Sequence, residues 1–391
     1  MRRLPFTVGS LKMKIMSNFQ ARRSFSSDAI RVGVIGLGRS GRQFHCRPLQ
    51  SINGFKLVAV ADARAGEALA VEEEYGCRAY LDYQKLLNCP DVDLVVVATP
   101  TRLHAQMTLD AARSGKHVVV EKPFAASSRE AREMFAAGRR AGVFVGGFHN
   151  RRFDADVLAI KEVIESGRLG TLIHTGIRLH SYSRRNDWQT LRDHGGGALS
   201  NWGAHVLDWC FFLFGTDIEV VQANLVHALN PGDAEDGFYL LLKCADDSLV
   251  SIEYFNCAAA GLPRWHVVGQ TGAATCDIKS LKVRHCDPAR LVPITADSGA
   301  SDGTYGIKED LGWNEEESGV EYHDNSTLYY KALARHLKYG KPEPVTEGEV
   351  VRLIETIESL QSLPIRKLDC YPSAHKDAVP SRQASAEAVA V

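Results

Sequence analysis

The fold of this chain is decided by residues 30–41, which read IRVGVIGLGRSG. The first six residues are mostly apolar and rich in β-branched side chains, as is typical of a strand buried in a parallel sheet. They run directly into a Gly-x-Gly-x-x-Gly turn formed by Gly36, Gly38 and Gly41. A strand that ends in this turn and then opens a helix indicates the first unit of a Rossmann-type sheet.

The next hundred or so residues repeat the same rhythm of buried strands and helices. Strands are predicted at residues 57–61, 94–98, 117–120 and 143–147, and helices at 65–75, 103–114 and 128–141, with a short helix before Cys89. This alternation predicts an α/β fold, a doubly wound parallel sheet with helices on both faces.

Beyond residue 150 the pattern becomes α+β. Half-covered antiparallel strands are predicted at 172–182, 218–229, 238–244, 249–255 and 265–270, and helices at 155–166, 200–214, 327–339 and 347–362. The acidic stretch 308–321 is expected to be a solvated loop. We expect a Rossmann domain at 29–150, a substrate and oligomerisation domain at 151–368 and a disordered tail at 369–391.

The composition argues for a small-molecule partner. The chain of 391 residues has 46 basic and 47 acidic side chains, so no excess charge favours nucleic acid or an acidic membrane surface. No apolar run approaches the ~18 residues of a membrane span. The nine cysteines are scattered without zinc spacing, which predicts no metal site and free, buried thiols in a reducing compartment.

The N-terminal segment, residues 1–28, leaves two readings open. It is basic, rich in serine and free of acids up to Asp28, which is the composition of a mitochondrial transit peptide. Alternatively the start codon is assigned too early, and Met13 or Met16 is the true start. We expect a cytoplasmic protein, or a mitochondrial one if the segment is a transit peptide.

The glycine turn and the acid at the end of the second strand predict a dinucleotide site. The turn lets the backbone and the helix N-terminus approach a pyrophosphate. Asp62, 21 residues past Gly41, can accept hydrogen bonds from the adenosine ribose and repel a 2′-phosphate, which favours NAD. Arg64 and Arg39 could offset that charge, so NADP stays open, and Asp62 could instead cap the following helix.

Further contacts are expected where later strands end. The predicted cofactor contacts are Gly36, Leu37, Gly38, Arg39, Ser40, Gly41, Asp62, Arg64, Thr99, Pro100, His104, Glu121 and Lys122. His104 has an alternative role in packing. Lys122 follows an all-valine strand and can donate to a substrate oxygen that gains charge during hydride transfer, with Glu121 positioning it. Alternatively, this Glu-Lys-Pro segment is a surface turn.

A polar stripe on an apolar helix predicts the second half of a catalytic site. Asn201, His205 and Asp208 are spaced i, i+4, i+7 and are expected to share one helix face behind a triple-glycine loop. A neutral imidazole can take the proton of an alcohol as the hydride leaves. The alternative for His205 is a hydrogen-bonded core histidine.

Together these motifs resemble the glucose-fructose oxidoreductase/inositol dehydrogenase (Gfo/Idh/MocA) family over residues 30–365. The resemblance rests on the glycine turn, Asp62, Thr-Pro-x-x-x-His (99–104), Gly-Lys-His-Val-x-x-Glu-Lys-Pro (115–123), Asn-Arg-Arg-Phe-Asp (150–154) and Gly-Gly-Gly-Ala-Leu-x-x-x-Gly-x-His-x-x-Asp (195–208). It implies NAD(P)-dependent oxidation or reduction of a sugar or polyol, with Lys122 and His205 acting on the reacting hydroxyl. It also implies a large, open, mostly antiparallel C-terminal sheet, a homodimer or homotetramer, and a cis peptide before Pro123.

One position departs from the inositol-dehydrogenase-like pattern, which has aspartate where this chain has Asn201. An amide cannot relay a proton, so we expect His205 with Lys122 to carry proton transfer and Asn201 to position substrate. Arg151, Trp188 and Arg192 are candidate substrate contacts, with surface or core roles as alternatives. Two other functions stay open: a non-catalytic NAD(H)-sensing sugar-binding protein, and an enzyme that cleaves glycosides through transient oxidation of the sugar.

Overall fold

A computed structural model of the chain describes residues 29–296 and 309–368. The expected basic extension at 1–28 and the expected tail at 369–391 lie outside these residues. Within the described ranges, every strand and helix predicted above is present with its ends within two residues, provided that the π-helix Leu199–Gly203 is counted with the α-helix that follows it. No helix in this part of the chain is long and apolar enough to cross a membrane.

The first sheet has six strands, all paired in parallel, in the order β3-β2-β1-β4-β5-β6. The strands are β1 Ile30–Ile35, β2 Phe55–Ala61, β3 Arg78–Tyr80, β4 Leu94–Val97, β5 His117–Glu121 and β6 Val145–Phe148. The helices between them are α1 Arg47–Leu49, α2 Ala65–Tyr75, α3 Tyr83–Leu87, α4 His104–Arg113 and α5 Ser128–Ala141. The doubly wound Rossmann sheet is confirmed, and its glycine turn, Asp62, Thr99 and Lys122 all follow the C-terminal ends of strands.

The second sheet has nine strands in the order β14-β13-β12-β11-β7-β10-β9-β8-β15. They are β7 Leu172–His180, β8 Ile218–His227, β9 Gly237–Cys244, β10 Leu249–Phe255, β11 Trp265–Gly269, β12 Gly272–Cys276, β13 Ser280–His285, β14 Asn314–Gly319 and β15 Ile365–Lys367. The helices here are α6 Ala155–Glu165, α7 Ala204–Phe214, α8 Asn325–Tyr339 and α9 Glu347–Gln361. This confirms a large, mostly antiparallel sheet.

Three expectations about this region are corrected. The strands β7 and β10 pair in parallel, as do β8 and β15, because the chain leaves and re-enters the sheet between them. The acidic stretch contains the edge strand β14, whose Glu315 and Glu317 pair with basic side chains of β13, Arg284 and Lys282. Among the eight described cysteines, all in the free thiol state, Cys257 is exposed and not buried.

The C-terminal part of the chain returns to the first sheet. Helix α8 buries Tyr329, Tyr330 and Leu333 in the core around β1–β6. The Tyr329 hydroxyl donates to the Gly147 carbonyl at 2.9 Å, and the Tyr330 hydroxyl lies 2.7 Å from His45 Nδ1. These contacts hold the second region against the parallel sheet.

A buried ion network fixes the junction between the two regions. The Arg152 guanidinium, 2% exposed, donates to both carboxylate oxygens of Asp208 at 2.5 and 3.2 Å and to Glu349 at 3.2 Å. It also donates to the Pro344 carbonyl at 2.8 Å. Since a buried charge is tolerated only when it is paired and hydrogen-bonded, this network ties α7 and α9 to the end of β6.

Candidate active site

A cavity of about 1070 Å³ runs along the C-terminal edge of the parallel sheet, between that sheet and the helix carrying His205. Of the predicted site residues it is lined by Gly36, Gly38, Arg39, Ser40, Asp62, Arg64, Thr99, Pro100, Glu121, Lys122, Arg151, Trp188, Asn201 and His205. Leu37, Gly41, His104 and Arg192 do not line it. The cleft therefore brings both predicted halves of the site together.

Each of the three positions in the turn is glycine for a different structural reason. Gly36 has φ +92°, and a Cβ there would lie 2.6 Å from the Ala98 carbonyl oxygen. A Cβ on Gly41 would lie 1.9 Å from the Gly36 oxygen, so the turn itself requires glycine at both ends. A Cβ on Gly38 would meet nothing within 4 Å, and Gly38 lines the cavity. The absence of a side chain at Gly38 keeps the backbone open to the cavity, which fits close approach of a pyrophosphate.

Asp62 lines the cavity together with the glycine turn and is not the N-cap of α2. Its carboxylate accepts the Leu37 N–H at 2.8 Å and is bracketed by Arg64, whose Nε and Nη2 donate at 3.0 and 2.9 Å. Burial opposes its ionisation, but the hydrogen bonds from Arg64 and Leu37 outweigh burial and lower the pKa of Asp62. The N-cap of α2 is Arg64, without a side-chain capping bond. Asp62 is thus a fixed negative charge facing the cavity.

His104 supports the site from behind. Its ring is 1% exposed and its nitrogens lie 2.9 Å from the Pro123 carbonyl oxygen and 2.7 Å from that of Thr99. Because these contacts occupy both nitrogens inside the core, the imidazole does not reach the cavity. The Lys122–Pro123 peptide is cis, as the resemblance implied.

Lys122 is oriented by residues from both regions. Its Nζ donates to the Asn201 side-chain oxygen at 2.9 Å and to the Asn201 carbonyl at 3.4 Å. The Glu121 carboxylate accepts the Lys122 backbone N–H at 2.9 Å, and its other oxygen lies 3.2 Å from His45 Nε2. Burial lowers the pKa of Lys122, Arg151 and Arg185 lower it further, and Glu121 opposes them. The ammonium is therefore easier to deprotonate than an exposed lysine.

The polar residues predicted on one helix face, Asn201, His205 and Asp208, do not all face the cavity. Residues Leu199–Gly203 form a π-helix that leads into α7, so the regular i, i+4, i+7 spacing does not hold across the join. Asn201 and His205 line the cavity, whereas Asp208 lies behind them on Arg152. The Asn201 amide also donates to Gln189 Oε1 at 3.0 Å. Both ends of this amide are thus engaged within the protein.

His205 is buried and neutral. Its side chain is 7% exposed, and among the described residues its Nδ1 has no hydrogen-bond partner. Burial places the pKa of His205 well below its ordinary value, and the nearby Lys122 and Arg151 cations lower it further. At neutral pH the ring therefore has a free lone pair and can accept a proton.

The substrate side of the cavity is formed partly by residues that the sequence did not point to. Arg151 and Trp188 line it as expected, but Arg192 donates from Nη2 to the Gln361 carbonyl at 3.0 Å, on the protein surface. Arg185 and Trp202 line it as well. Trp202 adjoins Asn201 in sequence, which is a weak signal, whereas Arg185 lies in an irregular loop without a motif.

Comparison with known proteins identifies the family of the chain. Residues 30–149 match a family described as "Oxidoreductase family, NAD-binding Rossmann fold", and residues 157–275 match the "GFO/IDH/MocA C-terminal domain". Among curated relatives, scyllo-inositol 2-dehydrogenase (NADP(+)) IolW of Bacillus subtilis is 26% identical over 85% of this chain and 93% of its own. Inositol 2-dehydrogenase 2 of Saccharopolyspora erythraea is 33% identical over 62% of this chain and 72% of its own.

A solved structure has the same fold. The NAD-binding protein from Listeria innocua superimposes with a TM-score of 0.73 at 26% identity, over 85% of this chain and 97% of the other. Family profiles over both regions, relatives and structure all agree. The chain belongs to the Gfo/Idh/MocA family of oxidoreductases and carries that family's NAD-binding Rossmann fold.

Proposed function

We propose that the protein oxidises a hydroxyl group of a sugar or polyol, and reduces the corresponding ketone in the reverse direction, with NAD as cofactor. The observation that carries the proposal is the presence of Lys122 and His205 in one cavity with the glycine turn. A dinucleotide-binding protein without turnover has no need of a proton-accepting pair beside the cofactor. The inositol dehydrogenases among the relatives support the substrate class.

The cavity edge holds the cofactor in this proposal. The backbone at Gly38 and the first turn of the following helix bind the pyrophosphate, and Asp62 binds the adenosine ribose. NAD is favoured because the Asp62 charge faces that position and because Arg64 is already bonded to Asp62. NADP remains the alternative, and the Bacillus subtilis relative is named for it.

In this proposal, side chains of the protein accept the proton of the substrate hydroxyl and stabilise the charge on its oxygen. When bound, the oxidised nicotinamide supplies the acceptor for the hydride that leaves the carbinol carbon. His205 accepts the hydroxyl proton, which its neutral state allows at physiological pH. Lys122 donates to the same oxygen and stabilises the charge that develops there. Glu121 and Asn201 hold Lys122 from two sides, and Arg151 and Trp188 contact the rest of the substrate.

The test is a spectrophotometric panel of polyols and aldoses with NAD and with NADP. The wild type should reduce cofactor with at least one substrate, and Lys122→Ala should lower kcat/KM by about 10²- to 10⁴-fold, the range for a lost acid–base group. The exposed Lys85→Ala is the matched control and should retain the wild-type rate. No cofactor reduction with any substrate would refute the proposal, and an unchanged rate in Lys122→Ala would refute the role of Lys122.

The same panel separates the competing functions. Release of free sugar from a glycoside without accumulation of reduced cofactor would favour transient oxidation during glycoside cleavage. Tight cofactor and sugar binding with no reaction of either would favour a sensor.

A further inference from the structure

We propose that the substrate carries an anionic group, a carboxylate or a phosphate, which Arg151 and Arg185 bind beside Lys122. This inference rests on the function proposed above, because it takes the Lys122 end of the cavity as the substrate site. It adds the charge of the substrate, which neither the fold nor the relatives' names supply.

The Lys122 end of the cavity is lined by positive charge without a free acid. Lys122, Arg151 and Arg185 are its cations, and the side chains around them are amides, indoles and the neutral His205. Three acids also line the cavity, and each is hydrogen-bonded within the protein: Asp62 to Arg64 and the Leu37 N–H, Asp82 to the Gln84 N–H, and Glu121 to His45 and the Lys122 N–H. Of the three, only Glu121 adjoins Lys122, whose charge it partly offsets.

Both arginines lie close enough to Lys122 to act on its charge. Arg151 and Arg185 both disfavour the charged form of Lys122, and Arg151 disfavours a charged His205. The Arg151 guanidinium carbon stands 4.7 Å from the centre of the Trp202 ring, which fixes its position over an indole of the cavity wall. Convergent like charges are costly unless an anion joins them, so an anionic ligand gains from all three.

Each arginine is anchored from behind and keeps a donor free. Arg151 Nη1 donates to Asp154 at 3.0 Å, and Arg185 donates to Asp187 through Nη2 at 2.5 Å. Neither aspartate lines the cavity. In the part of the chain that the structure describes, Arg151 Nη2 and Arg185 Nη1 have no hydrogen-bond partner. An anchored guanidinium with an unused N–H is pre-organised for a carboxylate or phosphate oxygen.

The amide of Asn201 is also compatible with an anionic substrate. A carboxylate at this position, as in the inositol-dehydrogenase-like pattern, would neutralise Lys122 and repel an anionic substrate. The amide accepts the hydrogen bond from Lys122 at 2.9 Å without adding negative charge. Asn201 therefore adds no further negative charge to the substrate end.

The first experiment compares sugars that differ only at C6, in carrying or lacking an anionic group. Glucose is paired with glucuronate and with glucose 6-phosphate, and galactose with galacturonate. Binding is measured by isothermal titration calorimetry on the full chain with NADH present, a combination that cannot oxidise the sugar. We expect at least one acid to bind about 10- to 100-fold more tightly than its neutral partner, the equivalent of one or two charged hydrogen bonds. Which of the two acids of glucose binds more tightly distinguishes a carboxylate site from a phosphate site.

Variants then assign the preference to the arginines. Arg151→Gln and Arg185→Gln should each lower the acid-over-neutral preference about tenfold, and the preference should fall with added salt. Arg192→Gln removes an arginine outside the cavity and should leave it unchanged. Acids that bind no more tightly than their neutral partners, or a preference that survives in both cavity variants, would overturn the inference.

Turnover of the same pairs with NAD separates this inference from the proposed function. Equal kcat/KM for acid and neutral sugar overturns the anionic substrate and leaves the dehydrogenase standing. Preferential binding of acids without any cofactor reduction supports the anion site and refutes the dehydrogenase.

Discussion

The substitution Asn201→Asp places a carboxylate where the amide now accepts the Lys122 hydrogen bond, and it should move the pH profile of oxidation upward. The Asn201 oxygen lies 2.9 Å from Lys122 Nζ. Two unit charges at that distance attract by about 6 kcal/mol at an effective dielectric of 20 and by ~1.5 kcal/mol in bulk water. Part of this attraction is offset, because the existing hydrogen bond already contributes ~1 kcal/mol.

The direction of the pH shift depends on whether the new carboxylate favours the protonated or the deprotonated form of Lys122 and His205. In the wild type, burial and the surrounding cations lower the pKa of both Lys122 and His205, so the neutral imidazole is available at neutral pH. A carboxylate favours the protonated forms of this pair, which must then lose its proton at higher pH. A nearby opposite charge shifts a pKa by about 1 to 3 units. We therefore expect the ascending limb of the kcat/KM profile to move to higher pH by that amount.

The assay is kcat/KM for oxidation from pH 5 to 10, with cofactor binding measured at each pH. The exposed Asn53→Asp adds the same charge in a surface turn and should reproduce the wild-type profile. An Asn201→Asp enzyme that is folded and active, with its ascending limb at the wild-type pH, would show that neither Lys122 nor His205 titrates in the rate, and the proposed proton transfer would be wrong.

Four further predictions concern the cofactor turn, the buried junction and cofactor selection. Gly38→Ala should unfold at the wild-type urea concentration but bind NAD about tenfold more weakly, a change of ~1.4 kcal/mol, because its Cβ meets only the cavity. Gly41→Ala should lower the free energy of unfolding in urea by at least about 1 to 3 kcal/mol, because its Cβ overlaps the Gly36 oxygen. Equal free energies of unfolding for the Gly38 and Gly41 variants would contradict this account. Arg152→Met leaves Asp208 buried without its partner and should lower the free energy of unfolding by about 3 to 5 kcal/mol, whereas a loss below ~1 kcal/mol would mean that the network adds little. Asp62→Ser releases Arg64 and should raise kcat/KM with NADP relative to NAD by about tenfold, and an unchanged ratio would remove Asp62 from cofactor selection.

The sequence predicted what local patterns determine. The strand, turn and helix at residues 30–49 follow from neighbouring residues, and the charged pair Glu121 and Lys122 follows from its place after a buried strand. Asn201 and His205 were found because one short segment carries both. In each case the residues that determine the structure lie within about twenty positions of one another, where periodicity and turn rules apply.

The sequence did not predict contacts between distant segments. Tyr330 is hydrogen-bonded to His45, 285 residues away in the chain, and His45 in turn contacts Glu121; this link depends on α8 packing against the parallel sheet. Arg185 reaches the cavity from an irregular loop, while Arg192, seven residues later, turns to the surface. The parallel pairing of β7 with β10 also depends on the path of the chain between them. Tertiary packing decides these positions, and no local pattern records it.

The most direct test of the central claim is transfer of deuterium. A sugar or polyol that reacts in the panel is deuterated at its ring carbons and oxidised in ordinary water, and the reduced cofactor is analysed by mass spectrometry. We predict that the reduced nicotinamide carries one deuterium from the substrate and that Lys122→Ala slows its appearance. Reduced cofactor without deuterium, or deuterium transfer at the wild-type rate in Lys122→Ala, would contradict the account.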